Sequence, residues 1–178
     1  MTTAYIADTG VFIRCGGSDN EKFQRLRHAL REAGVTLILP QRVYKELGGD
    51  PAAEYPSGTL RHVEGFDESW LTVADELDYA NSTVSTVMDA ARRFIATETG
   101  REEDRIEKAD TALVGLAVQL LDVGQADHVV LLTTDKPAGR AAETLLPKYG
   151  FDDQITYRYA SVDFLETITA KEFEGSSR

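Results

Sequence analysis

Three aspartates and one glutamate stand where solubility alone does not explain them. Asp8 directly follows the apolar residues 4–7 and precedes Val11-Phe12-Ile13, Asp135 ends the apolar HVVLLTTD, and Asp110 lies inside EKADTALVGLAVQLL. At about 100° per residue, Asp110 shares a helical stripe with Ile106, Leu113, Ala117 and Leu121. A charge on that stripe is costly unless a cation pairs with it, either a bound metal ion or a distant Arg. Lys108, two residues earlier, faces elsewhere. Asp8 and Asp135 end strands, which suits a site at the carboxyl edge of a parallel sheet and equally suits a helix N-cap. Glu46, on a short helix in LILPQRVYKELGG, is by itself an ordinary solvated residue. The order distinguishes the set: strand-end Asp, helix Glu, helical Asp among apolar neighbours, strand-end Asp.

The elements that must position these residues alternate. Strands are predicted at 4–7, 35–39, 128–134 and 155–159, with a weaker one at 71–74 because Asp75, Glu76 and Asp78 follow it. Ser18-x-x-Glu21 reads as a capping box opening a helix that carries Phe23, Leu26, Leu30 and Ala33 and stops at Gly34. Further helices are predicted at 41–47, 106–121, 138–146 and 162–168, and one carries Val84, Val87, Ala91, Phe94 and Ile95 and ends near Gly100. Residues 50–69, with Pro51, Pro56, Gly58 and Gly65, read as a loop. The alternation predicts an α/β fold, a three-layer α/β/α sandwich around a mostly parallel sheet.

Repeats, low-complexity tracts and linkers are lacking, so residues 1–178 are expected to form one domain, with 50–104 as its variable segment. No apolar run approaches the roughly 20 residues of a membrane span, and no leader pattern opens the sequence, so a cytoplasmic protein is expected. The lone Cys15 excludes an internal disulfide and a cysteine-rich zinc site, and with no His near it in sequence it reads as a packed thiol. Thirty acidic residues against 19 basic ones give a net charge of −11, and only six of the basic residues are lysines. Such surfaces resemble those of salt-adapted proteins and argue against loose, sequence-independent nucleic-acid binding at low salt. Arg25, Arg27, Arg31, Arg92, Arg93, Arg101 and Arg105 suit phosphate, but their acidic neighbours favour solvated ion pairs.

Together, ADTGVFI, VYKELGG, EKADTALVGLA and LLTTDKPAG resemble, in order and across nearly the whole chain, the four acidic motifs of PIN-domain ribonucleases, a family that includes the toxins of toxin–antitoxin pairs. The resemblance implies a pocket binding Mg²⁺ or Mn²⁺ through Asp8, Glu46, Asp110 and Asp135. Thr9 and Thr133 would stand behind them, where hydroxyls orient a carboxylate or a water. It implies hydrolysis of RNA, expected to be single-stranded, by a metal-activated water, with a protein antitoxin or regulator and a homodimer as partners to look for. Converging carboxylates cannot all stay ionised and unpaired without a large penalty. A divalent cation relieves it, and hard oxygen donors select Mg²⁺ or Mn²⁺. His28, His62 and His128 lie away from the motifs and read as surface or packing residues.

The pattern also departs from the family. Where many members carry a further Asp or Asn, Lys136-Pro137-Ala138-Gly139 follows Asp135, which leaves a second metal site without that ligand. Glu107 lies at the edge of the Asp110 face and reads as solvated. Two rival readings remain. A phosphatase with Asp8 as nucleophile would want a second Asp where Gly10 stands, and a non-catalytic RNA- or protein-binding module would keep its acids at a cost to stability. Phosphate-cradling glycine motifs are absent.

Overall fold

The computed structural model describes residues 1–54 and 64–174. Five short apolar runs form β1 (Thr3–Ala7), β2 (Leu37–Leu39), β3 (Leu71–Val73), β4 (His128–Thr133) and β5 (Ile155–Tyr159). They pair in parallel throughout, in the order β3-β2-β1-β4-β5. The central β1 and β4 are covered on both faces, which is why they read as continuous apolar runs and not as alternating ones. Ile6 and Leu131, opposite each other in register, are fully buried.

Helices cover both faces of the sheet. α1 (Thr9–Cys15), α2 (Glu21–Ala33), α8 (Val162–Thr167) and α9 (Lys171–Glu174) pack together, while α5 (Ser82–Thr99), α6 (Lys108–Asp122) and α7 (Lys136–Leu145) form the other layer. α3 (Gln41–Glu46) and α4 (Glu64–Asp67) lie in sequence between β2 and β3. The result is the expected α/β/α sandwich. Among the described residues, no helix is long and apolar enough to cross a membrane.

Local chemistry moves several boundaries. The N-cap of α2 is Asn20, whose Oδ1 accepts from the Lys22 N–H at 3.0 Å; Ser18 is not the cap. Gly34 does end α2, in the left-handed region at φ 66°. The Val35 N–H turns back to the Leu30 carbonyl at 2.9 Å, so β2 begins only at Leu37. Val11-Phe12-Ile13, to which the sequence assigned no element, belong to a helix, α1. β3 forms despite its acidic followers because Asp75, Glu76 and Asp78 lie beyond its last residue. α6 starts at Lys108, and Ile106 is extended at φ −76°, ψ 128°. Asp110 therefore sits in the first turn, not at mid-helix. α6 is also buried around most of its circumference, so the stripe through Asp110 is less selective than its spacing suggests. Pro56, Gly58 and His62 lie outside the described residues.

Candidate active site

From β1 the chain steps outward to β2 and β3, then returns to the other side of β1 for β4 and β5. The reversal falls between β1 and β4, the topological switch point where open α/β sheets bind ligands beyond their strand ends. Ala7 and Leu132 are register partners, and the Asp8 N–H donates to the Leu132 carbonyl at 3.3 Å. Asp8 and Asp135 thus leave two adjacent strands side by side.

Both are N-caps. Asp8 Oδ1 accepts from the Val11 N–H at 3.2 Å, and Asp135 Oδ1 from the Ala138 N–H at 3.1 Å. Capping does not exhaust them. The other Asp8 oxygen accepts from the Thr133 hydroxyl and from the Thr134 N–H at 3.3 Å. Thr133 is fully buried, and its hydroxyl also accepts the Asp135 N–H at 3.0 Å. One hydroxyl therefore fixes two strand-end aspartates relative to each other. Burial raises the Asp8 pKa, the three hydrogen bonds draw it back, and the Asp135 charge adds to the rise.

Asp110 enters from the first turn of α6. Burial and the adjacent Asp135 carboxylate push its pKa up to about 8, with Glu107 and Asp8 adding smaller repulsions. A hydrogen bond to the Asp135 side chain also favours the protonated form of Asp110. Glu107 is exposed, as its solvated reading requires, yet its charge reaches the site. Glu46 is exposed on the last residue of α3, where it accepts from the Thr9 hydroxyl at 2.5 Å. That bond ties α3 to the residue after Asp8.

The donor set suits a hard divalent cation: carboxylate oxygens in a partly buried cluster whose mutual repulsion a positive charge would relieve. As they stand, no three His, Cys, Asp or Glu side chains among the described residues come together closely enough to hold a metal ion. A positive charge there would relieve the repulsion that raises the Asp110 pKa.

A family model described as Halobacterial PIN domain matches residues 1–173. The chain belongs to the PIN-domain family. No curated protein and no solved structure matches it. PIN domains are generally nucleases that use divalent metals, and this PIN domain has the matching fold, with acidic residues gathered at the switch point.

Around its acids this PIN domain holds Arg101, which the sequence marked as suited to phosphate, together with Lys136 and Tyr159, which it did not mark as site residues. An open cleft of about 580 Å³ is lined by Asp110, Thr134, Asp135, Lys136, Arg101 and Tyr159, among others. The Lys136 ammonium lies 4.5 Å from the Tyr159 ring centroid, and Arg14 donates to the Tyr159 hydroxyl at 3.1 Å. Tyr159 ends β5, so the rule that sites gather at carboxyl strand ends was the available signal. The phosphatase alternative loses ground, because a Cβ at Gly10 would fall 1.9 Å from Thr134 Oγ1, leaving no room for an Asp there without displacing Thr134. Cys15 is fully buried, and burial pushes its thiol up to about 12, as befits a packing residue. His28 lies on the α2 surface beside Glu32, and His128 opens β4 at the opposite edge of the sheet.

Proposed function

We propose that this PIN domain is a Mg²⁺- or Mn²⁺-dependent endoribonuclease, with Asp8, Asp110 and Asp135 as the inner ligands and Glu46 as a fourth carboxylate closing the pocket from α3. The observation that carries the reading is the meeting of Asp110 and Asp135 beside buried Asp8 at the switch point, where their like charges lie close enough to raise the Asp110 pKa. Such mutually repelling acids cost stability unless a cation uses them. A bound ion would supply a water of lowered pKa and positive charge against phosphate oxygens.

The protein's own part is preorganisation. The N-terminus of α1 and the Thr133 and Thr134 donors fix both oxygens of Asp8, so that carboxylate need not reorient. Asp110 would give up a proton to a bound cation, and Asp135 is held by its cap and by Thr133. Thr9 holds Glu46 toward the β1 end of the pocket. Arg101 and Lys136 offer positive charge to a phosphate in the cleft.

In this reading residues 1–178 act as one domain in the cytoplasm, on single-stranded RNA, either as a toxin held by a protein antitoxin or in RNA processing or decay, with a homodimer as the assembly to test for. The net charge of −11 and the family's description favour work at high salt. The test is cleavage of labelled single-stranded RNA across a KCl series, with Mn²⁺, Mg²⁺ or EDTA. Metal-dependent cutting by wild type, lost in a folded Asp110→Asn variant, is the expected result. A folded protein that binds Mn²⁺ and cuts no RNA under any salt condition would leave the non-catalytic binding module as the better account.

A further inference from the structure

Two helices begin at the acidic centre, and each sends a cation to the same ring. α1 is capped by Asp8 and carries Arg14 in its last turn, while α7 is capped by Asp135 and begins with Lys136. The Lys136 ammonium lies 4.5 Å from the Tyr159 ring centroid, and the Arg14 guanidinium carbon 5.2 Å from it. Arg14 also donates to the Tyr159 hydroxyl at 3.1 Å and to the Ala160 carbonyl at 3.0 Å. Tyr159 pairs in register with Thr133, the residue whose hydroxyl joins Asp8 to Asp135. Just beyond it, the Ala160 N–H donates to the Thr133 carbonyl at 2.8 Å. The ring is thus fixed through its strand and, at its hydroxyl, by α1.

Lys136 is placed against opposition. It is the first residue of α7, where the helix dipole repels a cation, and Arg14 brings a second positive charge to the same ring. The attraction that offsets this is the face of the Tyr159 ring. Lys136 is exposed, and among the described residues its ammonium meets no carboxylate at salt-bridge distance, although Asp110 and Asp135 line the same cleft. The preference for a ring over an acid has a chemical consequence. A lysine bridged to Asp135 would neutralise a carboxylate that a metal ion needs, and would itself be neutralised. A lysine laid on a ring keeps its charge and its N–H donors for an anion.

We propose that Tyr159 is a positioning residue: with Arg14 locking the ring, it holds the Lys136 ammonium in the cleft beside Asp110 and Asp135, where that ammonium binds a non-bridging oxygen of the reacting phosphate. The four-carbon stem of a lysine is flexible, so without the ring its charge would be spread over the solvent in front of α7. Tyr159 touches no reacting atom and acts through Lys136 alone. The phosphate in this proposal rests on the nuclease reading; the placing of the lysine by the ring does not.

Two measurements test it. The first needs no activity: the ε-methylene signals of ¹³C-labelled lysine in the full chain, with Lys136→Met to assign one signal of the six. The Lys136 signal is expected upfield of the other lysines, shifted by the ring, and to rejoin them in Tyr159→Leu. The second is single-turnover cleavage of labelled single-stranded RNA with Mn²⁺. Lys136→Met and Tyr159→Leu are each expected to lower the rate about tenfold, and the double variant no further, because one residue acts through the other. Tyr159→Phe keeps the ring and should restore most of what Tyr159→Leu loses. Because Lys136 is exposed, Lys136→Met tests the lysine even if Tyr159→Leu does not fold, and the wild-type signal then tests the ring. Losses that multiply in the double variant would overturn the proposal, since a ring that only supports the fold acts independently of the lysine. A wild-type Lys136 signal without the upfield shift would overturn it too, as would full activity of Lys136→Met. If folded wild type cuts no RNA under any metal or salt, the nuclease reading falls, and the lysine signal alone decides whether the ring holds Lys136.

Discussion

Strand β4 begins and ends in polar residues, and its two ends are treated in opposite ways. At the amino edge His128 and Asp127 both have complementary partners. His128 bonds the Asp153 carbonyl at 3.1 Å and the Thr156 hydroxyl at 2.7 Å, and the Asp127 carboxylate accepts the Thr2 N–H at 2.7 Å. At the carboxyl edge, 133–135 lead into a cluster where the Asp135 charge raises the proton affinity of both Asp8 and Asp110. One edge settles its polar groups for stability. The other keeps like charges together under partial burial, which a fold maintains where a ligand uses them. That contrast points to the carboxyl edge as the working end of this PIN domain.

The contrast breaks most sharply under substitution of Asp110. Asp110→Asn is expected to lower metal-dependent cleavage by about 100-fold or more, while the metal-free protein at pH 8 is at least as stable as wild type in urea, because a repulsion has been removed. Asp8→Ala separates the two kinds of acid at the same edge. It strands the Val11 and Thr134 N–H groups and the buried Thr133 hydroxyl, and should cost about 1–3 kcal/mol of unfolding free energy as well as activity.

A subtler effect is the pH dependence. The Asp110 pKa rises from 3.8 to about 8 on folding, so between those values the native state holds a proton that the unfolded chain has released. Stability of the metal-free protein should therefore fall as pH rises from about 4 to about 8, and this fall should flatten in Asp110→Asn. Urea midpoints across that range check it, and an unchanged pH profile in the variant would remove Asp110 as the cause. The smallest effect belongs to the amino edge: His128→Ala should cost about 1 kcal/mol and leave cleavage unchanged.

Much of the fold was legible because its signals are local. Apolar runs located β1, β4 and β5, and Gly34 and Gly100 ended α2 and α5 where their left-handed geometry requires. Asp8, Asp110 and Asp135 were legible as a set because acids interrupting apolar runs are costly and therefore conspicuous. What stayed hidden depends on tertiary context. Ser18 and Asn20 are both good caps, and only packing selects Asn20. Val11-Phe12-Ile13 lie in a seven-residue helix whose N-cap is Asp8, which accepts the Val11 N–H. The stripe through Asp110 lost its meaning because α6 is buried on most sides, so its exposure is set by the start of the helix and not by its period. Lys136 and Tyr159 meet across two strand ends, a pairing that no spacing in the sequence encodes.

The central claim is that Asp110 holds a proton in place of a divalent cation. Calorimetric titration with Mn²⁺ at pH 7, repeated in buffers of different ionisation enthalpy, counts the protons released on binding. Wild type is predicted to bind Mn²⁺ with release of close to one proton, and Asp110→Asn to bind more weakly with little release. A folded wild type that binds no Mn²⁺, or that binds it without releasing a proton, would contradict the account.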